Sequence, residues 1–386
     1  MKAAFYSYLP TGGAVRVAGH QLYHLRKRFQ WRAHLPEGGA PLLPESGVPV
    51  HRYAFPHGRR LRGLRRLFAP VLLWRKALAY DRLCGRIAAQ IDADGAEVLL
   101  VHPSMIQSSP PLLYMTNVPS VFYCEEYPRY IYEPGMRKTG HLLTELLILP
   151  LLRREKRLDR LAARKATVLV ANSRYMAGRL QEVYDREAVA VLPGVDADVF
   201  TPGGGKEGYV LTVGALSHYK RHHLVVEALG MIPDGDRPPM VTVGDRGSPG
   251  YRESLRALAS RLDVDLTILQ GIPDERLIDL YRNAFVVACP QRNEPYGLVP
   301  LEAMACGTPA VAVDQGGFRE NVLHGENGLL VPVSSRAMAD AFAHLRQNPG
   351  MIEEMGRKGR EFVVSSRSSR VEADTVARLM EEAAGK

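Results

Sequence analysis

The chain has 386 residues, 46% hydrophobic and 24% charged, with a net charge of +9 at pH 7. That is a globular composition, long enough for two or three domains with separate cores. The positive balance favours anionic partners such as phosphates, nucleic acid or an acidic lipid surface. Cys84, Cys124, Cys289 and Cys306 form no CxxC pair. This excludes a cysteine metal site and points to reduced thiols in the cytosol. The apolar run at the N-terminus is too short for a signal peptide, and the longest apolar stretch, 142–152, is interrupted by Thr144, Glu145 and Pro150. No membrane-spanning helix is therefore expected.

Residues 2–6 read as a first strand, followed by a loop with Gly12 and Gly13 and a helix over 14–29. A strand, a glycine turn and a helix N-terminus together make a site that a phosphate can approach. Residues 57–76 interleave Arg59, Arg60, Arg62, Arg65, Arg66, Arg75 and Lys76 with leucines at helical spacing. Such a helix can lie on an anionic membrane or pack its leucines on a sheet. No recognition module for nucleic acid accompanies the charge. Strands at 98–101 and 120–123 follow. The first runs into His102, the second into Cys124, Glu125 and Arg129. Carboxyl ends of strands are where open α/β sheets bind ligands. Strands at 167–171 and 189–192 flank a helix that starts after Ser173. Residues 202–206, Pro-Gly-Gly-Gly-Lys, are the clearest linker.

The second half alternates strands at 209–213, 240–243, 265–269, 285–288, 309–313 and 328–331 with helices at 224–229, 251–261, 274–282 and 298–305. That rhythm implies a parallel sheet covered on both faces. Lys220 and Arg221 follow the first of these strands, and cations there suit a diphosphate. Residues 293–313 read NEPYGLVPLEAMACGTPAVAV. Glu294 sits in the loop and Glu302 about one turn into the helix. The N–H groups of Gly297, Leu298 and Val299 would point at an anion between them. Hydroxyls at both ends and a phosphate in the middle describe a nucleotide-sugar.

The run EPYGLVPLEAMACGTPAVAV resembles the donor-binding signature of the retaining glycosyltransferases of family 4, the glycosyl transferases group 1. The runs GGAVRVAGHQLYHL, VANSRYMAGRL and LPGVDADVF also match that family. The resemblance implies the α/β GT-B fold: two Rossmann-like doubly wound domains facing each other across a cleft. The domains would be an acceptor-side domain at 1–202, a nucleotide-sugar domain at 207–365, and a helix at 366–386 crossing back. It also implies transfer of a hexosyl group from a nucleoside diphosphate sugar to a hydroxyl, with retention and without a metal cofactor. Glu302 would bind the ribose and Glu294 the donor sugar. Lys220, with Arg221, Gly13, Tyr296 and the N–H groups of Gly297–Val299, would face the donor, and the backbone at Ile272 the base. Gly12 and Arg129 would lie on the acceptor side. The acceptor is open: a lipid-linked sugar, a polysaccharide or a small aglycone. Two departures stand out. Glu125 takes the place of a family histidine near the reacting carbon, and is counted with Glu294 as a catalytic candidate. Ala215 takes the place of a family arginine, whose charge Arg221 could supply. A sugar phosphorylase of the same fold, or a nucleotide-sugar-binding protein without turnover, remain as alternatives. A cytoplasmic protein peripheral to the membrane through 59–76 is expected.

Overall fold

The computed structural model describes residues 1–10, 12–41, 46–55, 69–133, 142–245 and 247–385, and the structural statements below concern these. The chain divides into two compact units: 1–192 with 372–386, and 193–371.

The first unit runs β1 (Lys2–Tyr8), α1 (Gly13–Leu25), β2 (Gln30–Pro36), β3 (Val50–Tyr53), α2 (Ala69–Ala93), β4 (Val98–Ser104), β5 (Ser120–Cys124), α3 (Arg129–Tyr132), α4 (Leu142–Lys165), β6 (Val168–Ala171), α5 (Arg174–Tyr184) and β7 (Val189–Ala190). Its parallel sheet has the order β3-β2-β1-β4-β5-β6-β7. The central strands β4, β5 and β6 are buried at every position, as their apolar sequences require when helices cover both faces. At the edge, three of four residues of β3 are exposed. Helix α1 turns Val17, Ala18, Gln21, Leu22 and Leu25 inward, a stripe at helical spacing with one polar member. Helix α5 starts where Ser173 accepts a hydrogen bond from the Met176 N–H at 2.8 Å.

The second unit runs β8 (Val210–Val213), α6 (His222–Gly230), β9 (Met240–Val243), α7 (Pro249–Arg261), β10 (Leu266–Leu269), α8 (Asp274–Asn283), β11 (Val286–Cys289), α9 (Leu298–Ala305), β12 (Ala310–Val313), α10 (Phe318–Asn321), β13 (Gly328–Val331), α11 (Ser335–Gln347) and α12 (Pro349–Ser366), and the last helix, α13 (Ser369–Ala384), begins at its end. The sheet order is β10-β9-β8-β11-β12-β13, again parallel. From β8 the chain first moves outward to β10, then returns to β11 and moves the other way. The sheet therefore has a topological switch point between β8 and β11, and the first unit has one between β1 and β4.

The passage between units falls at Leu192–Pro193, ahead of the glycine-rich run expected to mark it. The reason is local. The Val195 N–H donates to Arg367 O at 2.8 Å, the Ser369 N–H donates to Val195 O at 3.1 Å, and the Tyr296 hydroxyl donates to Pro193 O at 2.7 Å. Residues 193–195 are thereby fastened to the second unit. At the far end, the second unit extends to Val371, and α13 from Glu372 groups with the first.

Candidate functional site

In the second unit, the loops after β8 and β11 flank the switch point, where open α/β sheets take ligands. Lys220 comes from one loop and Glu294 from the other. Lys220 Nζ donates to Glu294 Oε2 at 2.8 Å, with the side chains 24% and 18% exposed. A half-buried pair of this kind remains reachable. Behind it, the Glu294 charge adds to burial in pushing the Cys289 thiol up.

The Glu294 loop is held from one side by Gly316 and Gly317. The Gly317 N–H donates to Glu294 O at 2.9 Å, and a Cβ on Gly316 (φ 62°) would lie 2.5 Å from that oxygen. Only glycine fits so close an approach with a positive φ. Gly297 caps α9 with φ 90°, and a Cβ there would sit 2.6 Å from the Phe318 ring. Gly297 offers no side-chain cap to this helix, whose first-turn N–H groups include those of Leu298 and Val299. Both of these residues are half-buried. Asn321 Nδ2 donates to Tyr296 O at 2.9 Å and to Gly297 O at 3.2 Å, fixing the turn. The Tyr296 hydroxyl serves this scaffold through Pro193.

Glu302 is 3% exposed, and the Tyr281 hydroxyl on α8 donates to its Oε2 at 2.6 Å. A buried carboxylate needs such a donor. Nothing in the sequence pattern pointed to Tyr281. Arg221 caps α6 in a left-handed conformation, φ 56°. Its Nη1 is buried and has no hydrogen-bond partner among the described residues. Burial, and then the nearby Arg292 charge, hold its pKa below the usual value. An unmet guanidinium donor beside a second cation is suited to an anion. The loop bearing Ala215 is fixed from beneath by His222. Its Nε2 lies 3.2 Å from Ala215 O and its Nδ1 3.0 Å from Thr212 Oγ1. Burial pushes His222 down to about 4. Ile272 is half-buried in the loop after β10, where the Gly271 N–H donates to Asp245 Oδ1 at 2.7 Å.

In the first unit, Gly12 (φ 141°) caps α1, with Gly13 as its first residue. The Gly12 carbonyl accepts from Val15 N at 3.2 Å. Glu125 follows β5, and its Oε1 lies 3.3 Å from Nδ1 of the fully buried His102. The two strands are adjacent in the sheet, which brings these residues together across 23 positions of sequence. Arg129, 9% exposed, pairs with Glu126 at 2.6 Å. Of the segment 59–76, residues 59–68 lie outside the described residues. In the rest, Val71, Leu72 and Leu73 are exposed beside Arg75 and Lys76, as is Leu78 just beyond. No described helix is long and apolar enough to cross a membrane.

The model of the family described as "Glycosyl transferases group 1" matches residues 200–362, nearly the whole second unit. The likeness to the glycosyl transferases group 1 lies in this unit. The D-inositol 3-phosphate glycosyltransferase of Kribbella flavida is 35% identical over 213 residues, 49% of this chain and 50% of that protein. The chain thus spans about half the length of the curated relatives it matches. Among solved structures, sucrose-phosphate synthase from Thermosynechococcus elongatus superposes with a TM-score of 0.79 at 18% identity, covering 99% of this chain and 98% of that one. Anabaena HepE in complex with UDP-glucose gives 0.74 at 19% identity, covering 99% and 100%. These likenesses establish the fold as GT-B, with its two Rossmann-like domains.

Proposed function

We propose that the protein is a glycosyltransferase that moves a hexosyl group from a nucleoside diphosphate sugar to an acceptor hydroxyl, with retention at the anomeric carbon. The observation that carries this reading is the Lys220–Glu294 pair at the switch point, 2.8 Å apart and partly open to solvent. That one structural neighbour, Anabaena HepE, holds UDP-glucose is in keeping with it.

In this reading Lys220 and Arg221 meet the diphosphate, joined by the N–H groups of Gly297, Leu298 and Val299. Their charge and dipoles are already fixed where negative charge grows as the sugar–phosphate bond breaks. Glu294, released from Lys220 by the diphosphate, accepts hydrogen bonds from the donor sugar. Glu302, oriented by Tyr281, accepts from the ribose hydroxyls. Gly13 and Ile272 complete the donor side by backbone contact, and Gly12 and Arg129 belong to the acceptor side. The departing phosphate oxygen takes the acceptor's proton on the face it leaves. The cations and helix N-terminus supply the counter-charge, so activity should persist in excess EDTA.

The deciding experiment incubates the protein with UDP-, GDP-, ADP- and dTDP-sugars and follows nucleoside diphosphate release. Slow hydrolysis of one donor, lost in Glu294→Gln, supports transfer. Phosphate-dependent cleavage of a glycoside would favour a phosphorylase, and tight donor binding with no release a binding protein. Product anomers read by NMR test retention.

The exposed apolar residues of α2, with Arg75 and Lys76, support docking on an acidic membrane from the cytoplasmic side. Co-sedimentation with vesicles should rise with phosphatidylserine content and fall with salt. Binding indifferent to both would sink that part.

A further inference from the structure

The carboxyl half of the first unit's sheet holds a line of buried polar groups that the donor chemistry above does not use. Gln21 Nε2 on α1 donates to Glu372 Oε1 on α13 at 2.6 Å. The Tyr123 hydroxyl lies 3.1 Å from the same oxygen. Gln21 Oε1 is 2.8 Å from His102 Nε2, and His102 Nδ1 is 3.3 Å from Glu125 Oε1. Gln21 and His102 are fully buried and Glu372 is 2% exposed, while 15% of the Glu125 side chain reaches solvent. The line therefore runs from a buried carboxylate to one at the surface.

Its polarity follows from what each group can do. A carboxylate only accepts, so Glu372 takes the amide N–H of Gln21. That turns the amide oxygen toward His102, and an amide oxygen also only accepts. The ring nitrogen facing it, Nε2, must carry hydrogen. A neutral ring has one N–H, so Nδ1 would then present a lone pair to Glu125 Oε1. Two acceptors would face each other in a partly buried place. A second ring proton removes that conflict and turns the contact into a charge-assisted hydrogen bond. The groups facing the ring are Gln21 from α1 with Glu372 of α13 behind it, Glu125 after β5, Tyr123 stacked at 5.2 Å, and Phe5 of β1 at 5.6 Å.

We propose that Gln21 and Glu372 hold His102 doubly protonated against Glu125, so that Glu125 meets a ligand hydroxyl through Oε2 as half of an ion pair rather than as a free carboxylate. Gln21, His102 and Glu372 are positioning residues for Glu125. A carboxylate so neutralised accepts a hydroxyl hydrogen bond but is a weak nucleophile toward an anomeric carbon. The ligand's identity as a sugar rests on the function proposed above; the proton count does not.

The test uses the full chain labelled with 15N-histidine at pH 7, with the His102 signals identified by their loss in His102→Asn. Both ring nitrogens should carry protons. In Glu372→Gln the Gln21 amide is free to turn over, and in Gln21→Met it is gone, so in each variant the ring should fall to one proton. Using two variants guards against one failing to fold. A singly protonated ring in the unaltered protein, or variants identical to it, overturns the proposal. With a working donor, the same variants should lose about tenfold or more in kcat/KM, as expected for a charge-assisted hydrogen bond. They should also change the pH profile, and an unchanged profile overturns the link to turnover. If no donor is consumed at all, the proposed function fails while the ring signals still decide the proton.

Discussion

Lys220 and Glu294 neutralise each other across the switch point of the second unit, and the pair must open for either to meet a ligand. Its energy is modest, because each side chain keeps about a fifth of its surface in water. Removing the ammonium should therefore affect donor chemistry more than folding. Lys220→Ala is expected to cut kcat/KM by about 10- to 100-fold while the urea midpoint hardly moves. Tyr281→Phe should behave differently. It strips a hydroxyl donor from the buried Glu302 carboxylate, so stability should fall by about 1–3 kcal/mol in urea melts, with weaker donor binding. His222 gives a pH signature. Its native pKa, about 4, lies below the ordinary 6.5, so the unfolded chain binds the proton first as pH falls. The stability it contributes is present above about pH 6.5 and is lost as pH drops through about 4. His34, also pushed to about 4 by burial, adds in the same direction. Urea midpoints should fall steeply between pH 6.5 and 4, and less so in His222→Gln. The charged candidates Lys220, Glu294 and Glu302 were legible from sequence, because strand ends and a helix start fix where they lie. Their partners were not: Tyr281 is 21 residues from Glu302, on another helix, and local pattern carries no trace of the pairing.

Helix α9 shows how an element can be built for its end rather than its face. From Pro300 to Ala305 it is buried, leaving only the first turn partly open. Gly297 sets its entry at a φ of 90° against the Phe318 ring. Gly297→Ala should cost about 1–3 kcal/mol from backbone strain and crowding together, measured by urea unfolding. An unchanged midpoint would show that the turn can re-form around a Cβ. All six strands of the second unit were readable in the sequence, since each is a short apolar run between helices. In the first unit, β2 and β3 were missed. In β2, charged and polar residues interrupt the apolar run. In β3, VHRY, only Tyr53 is buried, as befits an edge strand with solvent on one side. Such strands are made by their neighbours more than by their own residues.

At the scale of the molecule, two parallel sheets each have one switch point, and each switch point is lined with charged or polar side chains. The second unit's set is cationic and acidic; the first unit's is Gln21 of α1 and His102 of β4, with Glu125 beside them after the neighbouring β5. If the donor binds the second unit in this way, a saturating nucleotide-sugar should raise Tm. At about 100 Kd the added stability is about 2.7 kcal/mol. The four nucleotide-sugars compared by thermal shift should therefore separate by base, and equal Tm values with and without all four would count against donor binding. The domain plan was largely legible because each sheet announces itself by alternation. The boundary was not. Its position depends on the 193–195 backbone pairing with residues 367–369, a contact between distant segments.

The first unit is closed by residues that a ribosome makes only after the whole of the second unit. Val376, Ala377, Met380 and Ala383 are buried in α13, and Arg28 binds Glu381 through two 2.8 Å hydrogen bonds. During synthesis the first 192 residues emerge with that surface uncovered, and Gln21 waits for Glu372 across 351 positions. The second unit, contiguous in sequence, carries no such delay. A nascent chain stalled before 372 should hold a finished second unit beside an unfinished first one, more open to proteases and chaperones.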